Sequence, residues 1–113
     1  MIEWNFEEYE GLMPQQINEV APGWLTFLDG CPGGETPEQV GERVDRVIAR
    51  APMVERDVAL FAHGHVLRVL AARYLCLEPT AGRMFRLDTG TVSTLGTEHA
   101  EPVIMSWNVP PLA

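Results

Sequence analysis

Apolar positions follow three different spacings along this chain. Val40, Val44, Val47 and Ile48 recur at i, i+4, i+7 and i+8, the spacing of one buried helix face. Thr36, Pro37 and Gln39 precede them as N-cap, first helical residue and capping-box partner, and Pro52 ends the run. Arg43, Arg46 and Arg50 fall on the polar side of this helix. The second spacing is continuous: Val58-Ala59-Leu60-Phe61-Ala62 has no polar alternation. Such a run predicts a parallel strand buried on both faces. It turns at His63-Gly64-His65 into a second helix over about 65–76. The third spacing is that of β-formers at 91–96 and 103–107, which predicts an antiparallel hairpin across Thr97–Pro102.

Weaker signals fill the remainder. Pro14 opens a short helix over 14–20 with Ile17 and Val20 on one face, and Pro22-Gly23 closes it. Trp24, Leu25, Phe27 and Leu28 form an apolar patch, and Gly30–Gly34 is a loop. Pro79 and Gly82 mark a turn, with a short strand expected at 84–88. There are no internal repeats and no low-complexity tract. Helices alternating with strands give an α/β fold, and 113 residues with 46% hydrophobic content suit one domain over 1–113.

Charge narrows the function. Eight basic residues, all of them Arg, stand against 16 acidic ones, for a net charge of −8. Nucleic-acid binding needs a basic face and is not expected. No apolar run approaches the roughly 20 residues of a membrane helix. The acidic start Met1–Glu8 is not a signal peptide. Cys31 and Cys76 lack metal-like spacing and read as free thiols of a reducing compartment, so the cytoplasm is expected.

The candidate chemistry centres on His63. Ligands of open α/β sheets sit beyond the carboxyl ends of the strands, and the N–H groups of a following helix favour anions there. Gly64 lets a backbone approach closely. His63 and His65 could also form a metal pair, but no third ligand follows at zinc-like spacing, so no metal and no cofactor are expected.

Three segments, in order, resemble the histidine phosphatase superfamily in its phosphoglycerate-mutase-like branch. They are Glu3-Trp4-Asn5-Phe6-Glu7-Glu8-Tyr9-Glu10-Gly11-Leu12, then Gly30-Cys31-Pro32-Gly33-Gly34-Glu35-Thr36 with Arg43, then Phe61-Ala62-His63-Gly64-His65 with Leu67-Arg68. Leu87-Asp88-Thr89 through Trp107-Asn108 is similar to the family's closing strands. The resemblance implies a partial three-layer phosphoglycerate-mutase-like sheet with helices on both faces and an antiparallel C-terminal edge. It implies hydrolysis of a small phosphorylated metabolite through a phosphohistidine. His63 would stabilise the transferring phosphoryl group and Glu3 would protonate the leaving oxygen. Gly64 and His65 would border the substrate. Ala62 stands where relatives often carry Ser. Arg68, Arg73, Glu35 and Arg43 are expected in structural ion pairs.

The family's Arg-His-Gly segment, which carries the nucleophile, is not in this sequence; the three histidines are His63, His65 and His99. The chain is therefore expected to correspond to the second half of a phosphatase and to hydrolyse little on its own. A homodimer, or a complementing N-terminal half, is expected to cover the strand at 58–62. Two other classes stay open from sequence: a non-catalytic binding module of the same fold, and a small metal-binding protein.

Overall fold

The structure is a computed structural model, and it describes residues 3–5, 25–31, 33–51 and 57–111. The helix expected at 14–20 lies outside these residues. The described elements run α1 (Thr26–Asp29), α2 (Pro37–Arg50), α3 (Gly64–Tyr74), a 3-10 turn (Pro79–Met84), β1 (Val92–Glu98) and β2 (Glu101–Val109).

Helix α2 begins as its sequence requires. The Thr36 side chain accepts from Gln39 N at 3.2 Å, and the Gln39 side chain accepts from Thr36 N at 2.9 Å. Pro37 occupies the first turn, where its missing N–H costs nothing. Val40 and Val44 are fully buried, and Val47 and Ile48 pack on the edge of the same core. Helix α3 supplies Val66, Val69 and Leu70 from the opposite side, and Trp4 and Phe27 complete the cluster. Arg73 joins the two helices: its guanidinium donates to both Asp45 oxygens, at 2.9 and 3.1 Å, which raises the Arg73 pKa. Gly41 allows the 3-10 turn to press against α2, since a Cβ there would lie 2.6 Å from Pro79 Cγ.

Arg68 anchors the other side of α3, and among the described residues it does so without an ion pair. Its guanidinium donates to the carbonyls of Gly82 and Arg83 and lies 4.4 Å from the centre of the Phe27 ring. Burial lowers its pKa.

Two expected strands are not strands. Residues 84–88 belong to the end of the 3-10 turn and an irregular loop. That loop is tied to β2 by side chains instead of a ladder. Asp88 N donates to Asn108 Oδ1 at 2.8 Å, and Asn108 Nδ2 donates to Asp88 Oδ2 at 3.0 Å. The second departure is the run 58–62, which has no strand partner among the described residues. A strand exists only where a neighbour takes its N–H and C=O groups. Without one, Val58, Leu60 and Phe61 are 45%, 43% and 90% exposed, while Ala62 still packs on the core.

The C-terminal hairpin forms as expected and is longer at both strands. Its register runs from Glu98↔Glu101 to Val92↔Val109, with irregularities between Val92 and Leu95. Tyr74 fastens it to α3 by donating to Gly96 O at 2.7 Å. The tight turn places His99 and Ala100 at φ 51° and 66°. A two-residue hairpin turn needs positive φ at both central positions, which favours Asn-Gly. Ala100→Gly should therefore raise the unfolding free energy by roughly 0.5–1 kcal/mol. Urea denaturation checks this, and a lower midpoint would contradict it.

Candidate active site

The site is built where three chain segments meet at the start of α3. Its N-cap residue, His63, is extended at φ −125° and ψ 161°, and its side chain makes no capping hydrogen bond. A helix start leaves its first N–H groups without partners inside the helix. Here Glu3 supplies the acceptor from 62 and 63 residues away. Glu3 Oε2 accepts from His65 N at 3.0 Å, and Oε1 accepts from Val66 N at 2.7 Å. Oε1 also accepts from Trp4 N at 2.8 Å, so the carboxylate turns back on its own backbone.

A second network holds Glu3 in place. The Trp4 side chain is buried, and its Nε1 donates to Glu35 O at 2.9 Å. Asn5 N donates to Glu35 Oε1 at 2.8 Å. Arg43 clamps the Glu35 carboxylate with two bonds of 2.9 Å and extends NH2 to Glu3 O at 3.1 Å. Glu35 and Arg43 thus form the structural pair expected from sequence. They fix the strip Glu3–Asn5 against α2, and through it the carboxylate against α3.

Partial burial pushes the Glu3 carboxyl up. The His65 side chain and the N–H groups of Trp4, His65 and Val66 outweigh that and hold it at about 2, below the usual 4.5. The carboxylate stabilises the fold fully above pH ~4.5, and the contribution is lost as pH falls through ~2. A shift of this size corresponds to something on the order of 3 kcal/mol. Glu3→Gln should lower the melting temperature at neutral pH and flatten its decline between pH 4.5 and 2. An acid limb the same as wild type would refute the assignment.

His63 and Gly64 are exposed at the tip of this arrangement, and a Cβ added to Gly64 would meet nothing within 4 Å. The His65 ring lies between the tip and the core. Its Nδ1 is 3.6 Å from Glu3 Oε2, and its face stacks on Phe27 at 5.2 Å. The structure thus gathers Glu3, Gly64 and His65 around one helix start, next to His63. Sequence reasoning missed that Glu3 caps α3. The available signal was that His63 occupies an N-cap position where Ser, Thr, Asp or Asn is preferred. Among the described residues, no three His, Cys, Asp or Glu side chains converge as metal ligands. None of the described helices is long and apolar enough to cross a membrane.

The helix start, capped by Glu3, thus lies behind an exposed histidine and glycine. Residues 1–110 match the model of the histidine phosphatase superfamily (branch 1), and the chain belongs to that family. It is 39% identical over 101 residues to an acid phosphatase of Mycobacterium tuberculosis, across 88% of this chain and 50% of that protein. It is 37% identical over 87 residues to a sedoheptulose 1,7-bisphosphatase of Saccharomyces cerevisiae, across 62% of this chain and 32% of that protein. A solved structure from an open reading frame of Mycobacterium tuberculosis superposes with a TM-score of 0.92 at 34% identity, covering 96% of this chain and 57% of that one. The α-ribazole phosphatase of Shigella flexneri shares the fold, with a TM-score of 0.71 at 21% identity, over 98% of this chain and 60% of that one. The α/β phosphoglycerate-mutase-like class expected from sequence therefore stands. The chain spans half or less of the length of the two sequence relatives.

Proposed function

We propose that this chain forms one side of a phosphomonoesterase site that hydrolyses a small phosphorylated metabolite through a phosphohistidine carried outside these 113 residues. The supporting observation is the Glu3 carboxylate seated on the first turn of α3, immediately after His63. In this reading His63 donates to the equatorial oxygens of the transferring phosphoryl group, where negative charge concentrates. Gly64 and His65 border that group. Glu3 delivers the proton to the leaving oxygen. A carboxyl held at about 2 is ionised and cannot donate. A phosphoryl dianion brought beside it raises that pKa by like-charge repulsion, which makes the acid available when substrate is bound.

The same depressed carboxyl favours a second reading, a non-catalytic binding module in which Glu3 is only a helix cap. The case for assembly rests on the run 57–61, exposed and with no partner strand among the described residues. We assign its cover to a second copy of the chain or to a complementing N-terminal half, and the protein to the cytoplasm on a sequence whose two cysteines, Cys31 and Cys76, lack metal-like spacing.

Hydrolysis of p-nitrophenyl phosphate and of sugar phosphates separates the two readings. These 113 residues alone should turn over little. Supplying a segment with the Arg-His-Gly nucleophile should bring activity. Phosphate binding without turnover in that complete form would select the binding module. Clear turnover by the isolated chain would require a different nucleophile.

A further inference from the structure

We propose that His65 is a positioning residue whose ring, in its Nδ1–H form, holds the Glu3 carboxylate at the start of α3. The inference rests on the proposed role of Glu3 and adds a residue to it. His65 meets Glu3 twice, by its main-chain N–H at 3.0 Å and by Nδ1 at 3.6 Å, both toward Oε2. The second distance is within ion-pair reach and longer than a hydrogen bond.

The plane of the ring is fixed from below. It stacks on Phe27 with 29° between planes. Phe27 is itself buried, with Trp4 edge-on at 5.8 Å and the Arg68 guanidinium 4.4 Å from its centre. Among the described residues, the other charged groups near Glu3 come from α2 and α3. Arg43 of α2 reaches the Glu3 carbonyl while its guanidinium is clamped on Glu35. Arg68 of α3 is turned to the 3-10 turn, and His63 begins α3.

A neutral imidazole carries its proton on one nitrogen only. Were that nitrogen Nε2, the Nδ1 lone pair would face a carboxylate oxygen. The geometry therefore selects Nδ1–H, against the Nε2–H form that a free histidine side chain favours in water. The partner of one ring nitrogen sets the tautomer and the orientation.

Long-range 1H–15N correlation on the protein, at mildly alkaline pH, reads the tautomer without any substitution, and His65→Gln assigns the signal among the three histidines. An Nδ1–H pattern is expected; an Nε2–H pattern would overturn the proposal. A second readout is the titration of the Glu3 side-chain carbon. His65→Phe keeps the stacking and removes the donor, and should move the Glu3 midpoint up by about one pH unit, a tenfold change in proton affinity. His65→Gln keeps a side-chain N–H and should stay nearer to wild type. An unmoved midpoint in His65→Phe would also overturn it. Both readouts report the resting protein. If they appear while no hydrolysis is ever found, the catalytic reading fails and the role of His65 stands.

Discussion

Trp4→Ala is expected to lower the unfolding free energy by about 3–5 kcal/mol, the usual cost of emptying a large buried aromatic site. Trp4 is 2% exposed and packs edge-on against Phe27. Its Nε1 bond to Glu35 O is lost with it. A protein of this size has about 5–15 kcal/mol in total, so the variant approaches the limit of folding. The damage should reach the site, because the strip Glu3–Asn5 is held by Trp4, Glu35 and Arg43 acting together. Thermal unfolding followed by near-ultraviolet circular dichroism checks it. A loss below about 1 kcal/mol would show that the strip is not part of the core.

His63→Ala, in the form of the protein that carries the nucleophile, is expected to lower turnover more than tenfold, and up to the 10²–10³ typical of a lost charge-stabilising donor. Its fold should be unaffected, since the side chain makes no capping bond and lies exposed. Steady-state kinetics with unchanged melting would separate chemistry from folding. Retained turnover would place the phosphoryl-stabilising group elsewhere.

The sequence was most legible where local rules and the core agree. The capping box at Thr36 and the apolar face of α2 are local signals, and both appear as expected. The hairpin is read from β-formers alone, although its turn residues His99 and Ala100 give no glycine signal. The run 58–62 shows the opposite case. Its composition is that of a strand, but a strand requires a neighbour, and none lies among the described residues. Residues 84–88 fail for a related reason: Asn108 and Trp107 satisfy that loop through side chains, and no periodic pattern records this.

The site was legible as a set of residues and not as a geometry. Glu3, Gly64, His63 and His65 could be named from motif order. That Glu3 is ionised and caps α3 depends on a contact across 63 positions. Such a contact carries no local pattern. It bears on the proposed chemistry, in which a carboxyl held at about 2 would act as an acid only with a second negative charge beside it.

The leaving-group dependence of Glu3→Gln tests that claim most directly. In a form that carries the proposed nucleophile, alkyl phosphates would need their leaving oxygen protonated, whereas activated aryl phosphates would not. The substitution should slow hydrolysis of the alkyl esters far more than that of p-nitrophenyl phosphate. Equal losses on both substrates would contradict the assignment of Glu3 as proton donor and leave it as the cap of α3 alone.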